Sequence, residues 1–519
     1  MSSPIANETI GEASPPKWVQ WSGMALGPLA ALAMYHFVPG AGADGGGLSD
    51  AGRAVVAVGT LMAVWWITEA LPIEATSLLP LVLFPVLGVN SMDQAAAPYA
   101  SKEIYLFMGG FMLGAAMERW GLHTRIALVT MSIVGTSPLM LIAGLMLVTG
   151  LISMWVSNTA TTVVMLPIGM SVVKTALAGA AHGGAPDHDG SHARGIRNFA
   201  TCVVLGIAYA ATIGGVGTLI GTPPNTYFAG FFEKAVGQTF SFDRWLWVGL
   251  PLLGLFLPLA WVILALVVFP VRGAKISGAR RLIREQLAAL GPMRATEWAT
   301  LATFVAAAGA WIFRPQLCRV LGLVRKDAQG AETLLLTDSG IAITAALLLF
   351  AVPVSVKERR FVLDWPTASR LPWGVLLLFG GGISLADAMT SSGCNVYLGS
   401  MFTGLQHLPV WLMILVIAAT VTFVSELASN IAVTAAMLPV MRAVEVKLNL
   451  APGTLLIPTT LAASCGFMLP VATAPNALAF ATGHASMRSM LRVGFLLDLV
   501  GIGLITLIMA TLGSRALAP

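Results

Sequence analysis

Two stretches deep in apolar sequence carry the polar groups best placed to do chemistry. Residues 156–167 read VSNTATTVVMLP, and residues 428–439 read ASNIAVTAAMLP. In both, Met-Leu-Pro starts seven residues after the Asn, from Asn158 to Met165 and from Asn430 to Met437. Charge is almost absent around them. No Asp, Glu, Lys or Arg lies between Arg125 and Lys174 or between Phe199 and Phe232. From Ala388 to Met441 the only charged residue is Glu426, and Leu448–Met487 has none. The motifs therefore offer hydroxyls, amide oxygens and loose backbone carbonyls, and no ammonium or guanidinium group. Such a ligand set suits a hard cation such as Na⁺ at the ends of broken helices. The N-terminal ends of half-helices favour an anionic group. An anion brought to the bilayer midplane without a basic side chain must travel with cations, because an unpaired charge there costs several kcal/mol. Cation and anion are expected to bind together at the two Asn residues. Ser, Thr and Asn can also serve merely to bond neighbouring membrane helices, but a duplication in register weighs against that.

The elements that position these motifs are membrane helices. The chain is 57% hydrophobic and only 10% charged, against about 25% charged in a typical soluble domain. Apolar runs long enough to span a bilayer recur along almost the whole length, among them Ile73–Val89, Ile126–Val173, Phe199–Phe232, Trp245–Val271, Val410–Val440 and Leu491–Leu512. The expected fold is an all-α polytopic membrane protein of about eleven transmembrane helices plus two re-entrant hairpins. The N-terminus has Glu8 and Glu12 and no basic cluster before its first apolar run, so it does not read as a cleaved signal peptide. The cysteines Cys202, Cys318, Cys394 and Cys465 show no C-x-x-C spacing and read as small buried hydrophobes. A net charge of +5 would suggest nucleic acid in a soluble protein. Here the basic residues lie mostly in loops, where the positive-inside rule accounts for them, and no nucleic-acid partner is expected. The loop Arg272–Arg294 is read as cytoplasmic, which sends Arg314–Asp338 outside and returns Lys357–Arg370 inside.

The repeat reaches beyond the motifs. Phe107-Met108-Gly109-Gly110 is similar to Leu378-Phe379-Gly380-Gly381, and the interval to the Asn is 48 positions in the first half and 49 in the second. Gly221-Thr222-Pro223-Pro224-Asn225 is echoed by Ala472-Thr473-Ala474-Pro475-Asn476. The expected organisation is a tail at 1–20 and a first half at 21–271, with S-N-T at 157–159. A basic amphipathic cytoplasmic linker at 272–296 and a second half at 297–519, with S-N-I at 429–431, complete it. An odd number of crossings per half makes the second copy an inverted repeat of the first, with two hairpin tips pointing at one central site.

The residues WWITEALPIEATSLLP (65–80), LFMGGFMLGAAMERWGLHTRIAL (106–128), SNTAT (157–161), IGTPPN (220–225), SELASN (425–430) and SCGFMLPVATAPNAL (464–478) together resemble the divalent anion/sodium symporter family. That family includes sodium-coupled dicarboxylate and citrate carriers. The resemblance implies a homodimer in a bacterial inner membrane, each protomer having a scaffold domain and a transport domain that moves like an elevator. It implies one Na⁺ site at Ser153, Ser157, Asn158 and Gly221, and another at Ser425, Ala428, Asn430 and Ala472. It implies a substrate pocket at Ser157, Asn158, Thr159, Thr222, Pro223, Ser429, Asn430, Ile431, Thr473 and Ala474. The implied activity is Na⁺-coupled symport of a divalent anion such as succinate, fumarate or malate. Exchange, or carriage of citrate or sulfate on the same fold, stands as the alternative. Two departures touch the pocket: Ile431 stands where a second Thr would complete S-N-T, and Ala474 replaces a Pro.

Other groups have plainer readings beside sharper ones. Glu69 and Glu74 flank Pro72 and could relay protons, although a scaffold role fits them better. Glu426 could tune a cation site or bond free backbone amides. His182, His188 and His192 with Asp187 and Asp189 could suggest a metal loop, but the Gly-rich setting reads as a solvated linker. An intramembrane enzyme using Ser157 or Ser429 would need a base, and neither motif has one nearby in sequence. A channel is the remaining rival, against which the Pro-broken helices favour alternating access.

Overall fold

Proline and small polar residues decide where the apolar runs break. The computed structural model describes residues 16–40, 47–135, 137–182, 191–271, 279–326, 332–355, 357–394, 397 and 408–517. Among these, six helices are long and apolar enough to cross a membrane, and a pair bent by 91° at Phe313 adds a seventh. Five further apolar helices are shorter, and several of those flank the motifs. The chain is a polytopic helical membrane protein. Its only strands among the described residues are two small antiparallel pairs, Val324–Lys326 with Glu332–Leu334 and Pro353–Ser355 with Arg360–Phe361.

Nine helices build the centre. In the first half they are α1 (Pro138–Ser153), α2 (Asn158–His182), α3 (Ser191–Gly215) and α4 (Pro223–Val236). In the second half they are α5 (Val410–Ser425), α6 (Asn430–Lys447), α7 (Leu456–Ala463) and α8 (Ala474–Ala481), followed by α9 (Met487–Leu517). Each apolar run that carried a motif is thus a helix, a short break and a second helix. Pro138, Pro223 and Pro475 sit in the first turns of α1, α4 and α8, where a missing N–H does no harm. Pro167 and Pro439 occupy matching interior positions of α2 and α6, nine residues after their Asn, and each removes one donor from the helix ladder.

Packing repeats as the sequence does. Helix α3 packs on α1 and α2, and α7 packs on α5 and α6. Across the halves, α4 packs on α6 and α7, and α8 packs on α2 and α3. Exchanging the halves maps every one of these contacts onto another, which is the relation expected of a pseudo-two-fold. Helix α9 lies against α5, α7 and the helix Phe242–Val262. An aromatic stack ties the first break to the rest of the interior. Trp155 stacks on Phe242 at 5.9 Å, and Phe242 stacks on Trp311 at 5.1 Å.

The basic segment after the first half is described from Ala279 onward and forms the helix Ala279–Ala289. Its exposed face carries an Arg281–Glu285 ion pair at 2.6 Å, while Ile283 is buried against the protein. Gln286 donates to Ser171 on α2 at 3.2 Å, and Arg125 grips the carbonyls of Gly291 and Leu290 and the carboxylate of Glu297. The His-rich insert falls largely outside the described residues.

Buried carboxylates close the remaining helix starts. Glu445 of α6 is fully buried, and its Oε1 accepts from the amides of Gly453, Leu455 and Leu456 at 3.0, 2.8 and 3.2 Å. Arg442 donates to its other oxygen at 3.2 Å. These amides open α7 and have no carbonyl of their own to meet. Glu445→Ala should therefore lower the thermal midpoint of the detergent-solubilised protein sharply, since each stranded amide costs about 1–3 kcal/mol. Glu445→Gln, which keeps one acceptor oxygen, should fall between that variant and the wild type in the same melting measurement.

Candidate functional site

In the first half the two breaks are folded onto each other. Ser153 ends α1 and Asn158 begins α2, and the Ser153 hydroxyl donates to Asn158 Oδ1 at 2.8 Å. The Met154 carbonyl accepts from the Thr218 hydroxyl at 2.5 Å, bridging to the second break. Asn225, fully buried, donates from Nδ2 to the Gly215 and Thr218 carbonyls at 3.2 and 2.8 Å. Those carbonyls belong to the unwound end of α3, where, among the described residues, the Gly215 carbonyl has no backbone donor and that of Thr218 has only a long one from Gly221 at 3.4 Å. Two glycines allow the approach. A Cβ on Gly215 would collide with the Asn158 amide, and one on Gly221 would lie against the Gly215 carbonyl and 2.9 Å from that of Met154. The result is a cluster of oxygens from Ser153, Met154, Asn158 and Gly215, with the Gly221 backbone beside it. It is built without a charged side chain.

The second half repeats the construction. Asn476 donates from Nδ2 to the carbonyls of Gly466 and Leu469, at 3.1 and 3.0 Å. Gly466 and Leu469 precede Asn476 by ten and seven residues, as Gly215 and Thr218 precede Asn225. Thr222 and Thr473 cap α4 and α8 with nearly the same backbone, φ −144° and ψ 146° against φ −145° and ψ 150°. Thr162 bonds the Asn158 carbonyl and Thr434 the Asn430 carbonyl, at 2.7 and 2.8 Å.

The copies differ where ligand oxygens matter. Ser425, five residues before Asn430 as Ser153 is before Asn158, donates instead to the Thr422 carbonyl at 3.2 Å. Asn430 Oδ1 and Ser429 Oγ are buried with no hydrogen-bond partner, and so are Oδ1 of Asn225 and Oδ1 of Asn476. A buried acceptor without a protein partner is open to a ligand, an ion or an ordered water. Exposure differs too: Ser157 is exposed and uses its hydroxyl to accept from the Ala160 amide, whereas Ser429 is buried.

The sequence-derived residues are thus partly assembled. Ser153, Asn158 and Gly221 share one cluster with Met154 and Gly215, while Ser157 and Thr159 lie at its more open edge. Ala428, Ser429, Ala472, Thr473 and Ala474 are buried around the second pair of breaks, and Asn430, Ile431 and Pro223 are half-buried. Glu69 and Glu74 belong elsewhere: Glu69 ends the helix Asp50–Thr68 in a left-handed conformation, and Glu74 lies against Gly374. Glu426 bonds backbone amides, those of Phe467, Met468 and Leu469 at 2.6, 2.8 and 3.0 Å. Ser157 and Ser429 have no His, Lys or Asp partner among the described residues, so neither is set up as a nucleophile. Sequence reasoning left Gly215, Met154 and the amide oxygens of Asn225 and Asn476 off the site. The equal ten-residue intervals Gly215–Asn225 and Gly466–Asn476 are the signal that could have found the last pair.

A family model described as the sodium:sulfate symporter transmembrane region matches residues 21–516. Curated relatives include the sodium-dependent dicarboxylate transporter SdcS of Staphylococcus saprophyticus, 39% identical over 94% of this chain and 90% of its own. The protein of the same name from Staphylococcus aureus is 38% identical, with 94% of this chain and 90% of its own covered. Among solved structures, the Alcanivorax borkumensis YdaH transporter is similar in fold, with a TM-score of 0.59 at 12% identity, over 96% of this chain and 98% of that one.

The close approach at Gly215 gives a direct test of the first cluster. Gly215→Ala should push the Asn158 amide aside and weaken the Na⁺-dependent rise in thermal stability about tenfold or more in Na⁺ concentration, a shift of roughly 1.4 kcal/mol or above. Gly254→Ala, whose Cβ would meet open space, should leave that titration unchanged.

Proposed function

The chain belongs to the sodium:sulfate symporter family, and from that membership we propose that it couples Na⁺ entry to uptake of a C4-dicarboxylate across a bacterial plasma membrane. The observation that carries the reading is the pair of duplicated Asn breaks without a basic side chain, with buried unpartnered oxygens on Asn225, Ser429, Asn430 and Asn476. Acceptors buried in apolar surroundings call for a cation, and a dianion brought to the same place calls for more than one. One Na⁺ is held by Ser153, Ser157, Asn158 and the backbone at Gly221, with the neighbouring Met154 and Gly215 carbonyls available to it. The second is held by Ser425, Ala428, Asn430 and the backbone at Ala472. The substrate carboxylates meet Ser157, Asn158, Thr159, Thr222 and Pro223 from one half and Ser429, Asn430, Ile431, Thr473 and Ala474 from the other. The amino ends of α2, α4, α6 and α8 supply the favourable potential for them.

Dicarboxylate is favoured over sulfate on two grounds. The relatives at 38–39% identity are named for dicarboxylate transport. Ile431 also places an apolar group where a Thr hydroxyl would donate, which suits a carbon backbone better than an anion whose oxygens all need partners. The homodimer, the division into halves joined by the 272–296 linker, and the elevator motion of a transport domain against a scaffold follow from the family resemblance. On this reading the basic helix Ala279–Ala289, whose Gln286 donates to Ser171 of α2, ties the two domains together.

Uptake of labelled succinate by proteoliposomes should depend on an inward Na⁺ gradient. Equal uptake in Na⁺ and choline at fixed pH would replace symport by exchange, and sulfate outcompeting every dicarboxylate would replace the substrate. The two halves should not contribute equally. Thr159 can donate to a carboxylate and its counterpart Ile431 cannot, and a hydrogen bond to a charged group contributes roughly 1.5–3 kcal/mol. Thr159→Val should therefore weaken succinate about ten- to a hundred-fold in competition assays, with Ile431→Thr changing it less.

A further inference from the structure

Helix α4 carries charges at its far end that neither Na⁺ nor dicarboxylate binding uses. It lies against the helices Lys102–Arg119 and Trp373–Ser391, which also pack on each other. Toward the site this contact is apolar and close. Tyr227 rests on Phe379 with ring centroids 5.9 Å apart, and a Cβ on Gly382 would collide with its phenol. The buried Tyr227 hydroxyl has no hydrogen-bond partner among the described residues. Two helical turns further along α4 the contact becomes ionic. Lys234 Nζ lies 3.5 Å from Asp387 Oδ2 of the helix Trp373–Ser391. Glu233 Oε1 lies 2.5 Å from the Nζ of Lys102, which begins the helix Lys102–Arg119. Lys102 also donates to the Thr239 hydroxyl at 3.2 Å.

The join between α4 and the helix Phe242–Val262 is fastened as well. The Phe242 amide donates to Asp338 Oδ2 at 3.3 Å, and Arg314 lies 3.0 Å from the other oxygen of Asp338. Asp338 opens the helix Asp338–Ala351, which packs on Lys102–Arg119, and the Ser339 hydroxyl donates to the Lys102 carbonyl at 2.6 Å. Three helices that pack together thus reach residues 233–242. None of them supplies a site residue, whereas α4 carries Thr222 and Pro223 and so travels with the site on the elevator reading. Glu233 is paired with a cation and its neighbour Lys234 with an anion, on two different helices. A lengthwise slip of α4 separates both pairs at once, while Tyr227 has no hydrogen bond to lose. Both pairs are partly exposed, the side chains keeping 44% and 22% of their surface in Lys102–Glu233 and 37% and 35% in Lys234–Asp387. Such pairs are weak and screened by salt. That weakness suits a contact that is broken and remade, because opening a fully buried pair would strand two charges.

We propose that Lys102–Glu233 and Lys234–Asp387 form a latch, closed in this structure, that holds α4 at one end of its travel and opens in every transport cycle. The apolar bearing of Tyr227 on Phe379 and Gly382 lets α4 slide, and the two ion pairs set where it stops. The inference rests on the elevator reading for the motion. It does not depend on which dianion is carried or on how Na⁺ is held.

Spin labels at the exposed Gln238 and Thr390, read by double electron–electron resonance on the full-length protein in lipid, report the latch without any substrate. The labelled parent should show a short-distance population that high salt depletes. Asp387→Lys sets two cations face to face and should lower the ratio of short to long distances about two- to five-fold. Adding Lys234→Asp to that variant restores opposite charges and should restore the ratio. Should D387K fail to fold, Lys234→Gln removes one charge and should give a smaller change of the same sign. A ratio that these single changes leave unmoved, or that the double reversal does not bring back, overturns the latch. Thiol cross-linking of a Lys102→Cys, Glu233→Cys variant should stop Na⁺-driven succinate uptake but keep Na⁺-dependent thermal stabilisation, and cleaving the cross-link should restore uptake. Undiminished uptake by the cross-linked protein overturns the proposal. A wild type that takes up no dicarboxylate under a Na⁺ gradient would remove the proposed function instead, and the spin-label ratio would still decide the latch.

Discussion

Inside a bilayer every backbone N–H and C=O needs a partner, and a broken helix exposes several at once. This molecule breaks helices on purpose and then settles the account with side-chain amides. Asn225 and Asn476 each spend both amide hydrogens on carbonyls of the preceding break. Glu426 and Glu445 receive the orphaned N–H groups from the opposite side of the balance. What is left over is a surplus of acceptor oxygens with no donors. That surplus is useful because cations, unlike water, bring charge with them. The prolines, the glycine contacts and the crosswise packing all serve to hold that surplus in place.

Much of this was legible in the sequence because the repeat writes it twice. The matched spacing of Asn158 and Asn430 to Met-Leu-Pro, and of Thr222 and Thr473 to their Asn, identified both pairs of breaks. The absence of charge over Arg125–Lys174 and Leu448–Met487 excluded a basic side chain as the anion's partner. The rest was hidden for physical reasons. The carbonyls of Met154 and Gly215 have no letter of their own, since any residue supplies one. Gly215 reads as an ordinary small residue until Asn158 is seen to need its empty side. Glu426 invited a role within its own motif, yet its bonds go to the break after α7.

The two halves are alike in backbone and unlike in readiness. Asn158 Oδ1 is already engaged by Ser153, so on the proposed reading a cation there would compete with a hydrogen bond. Asn430 Oδ1 has no such partner, because the Ser425 hydroxyl is turned to Thr422. A neutral hydrogen bond is worth about 0.5–1.5 kcal/mol net, enough to separate the affinities of two otherwise matched oxygen clusters. Duplication supplied two similar oxygen clusters, and the partner chosen by one serine hydroxyl distinguishes them.

The crosswise packing also governs how the protein can be made. Helix α4 rests on α6 and α7, and α8 rests on α2 and α3, so each half buries its short helix against the other half. When the first half has been synthesised and the second has not, α4 has its first-half contacts, such as Phe228 on Phe240 and Trp245, but lacks those with α6 and α7. The membrane offers its amino end no substitute donors or acceptors. The first half must therefore wait, either displaced toward the interface or sheltered by the insertion machinery, until the last third of the chain arrives. Cooperative closure of both halves at once is the price of placing each tip in its sibling's keeping.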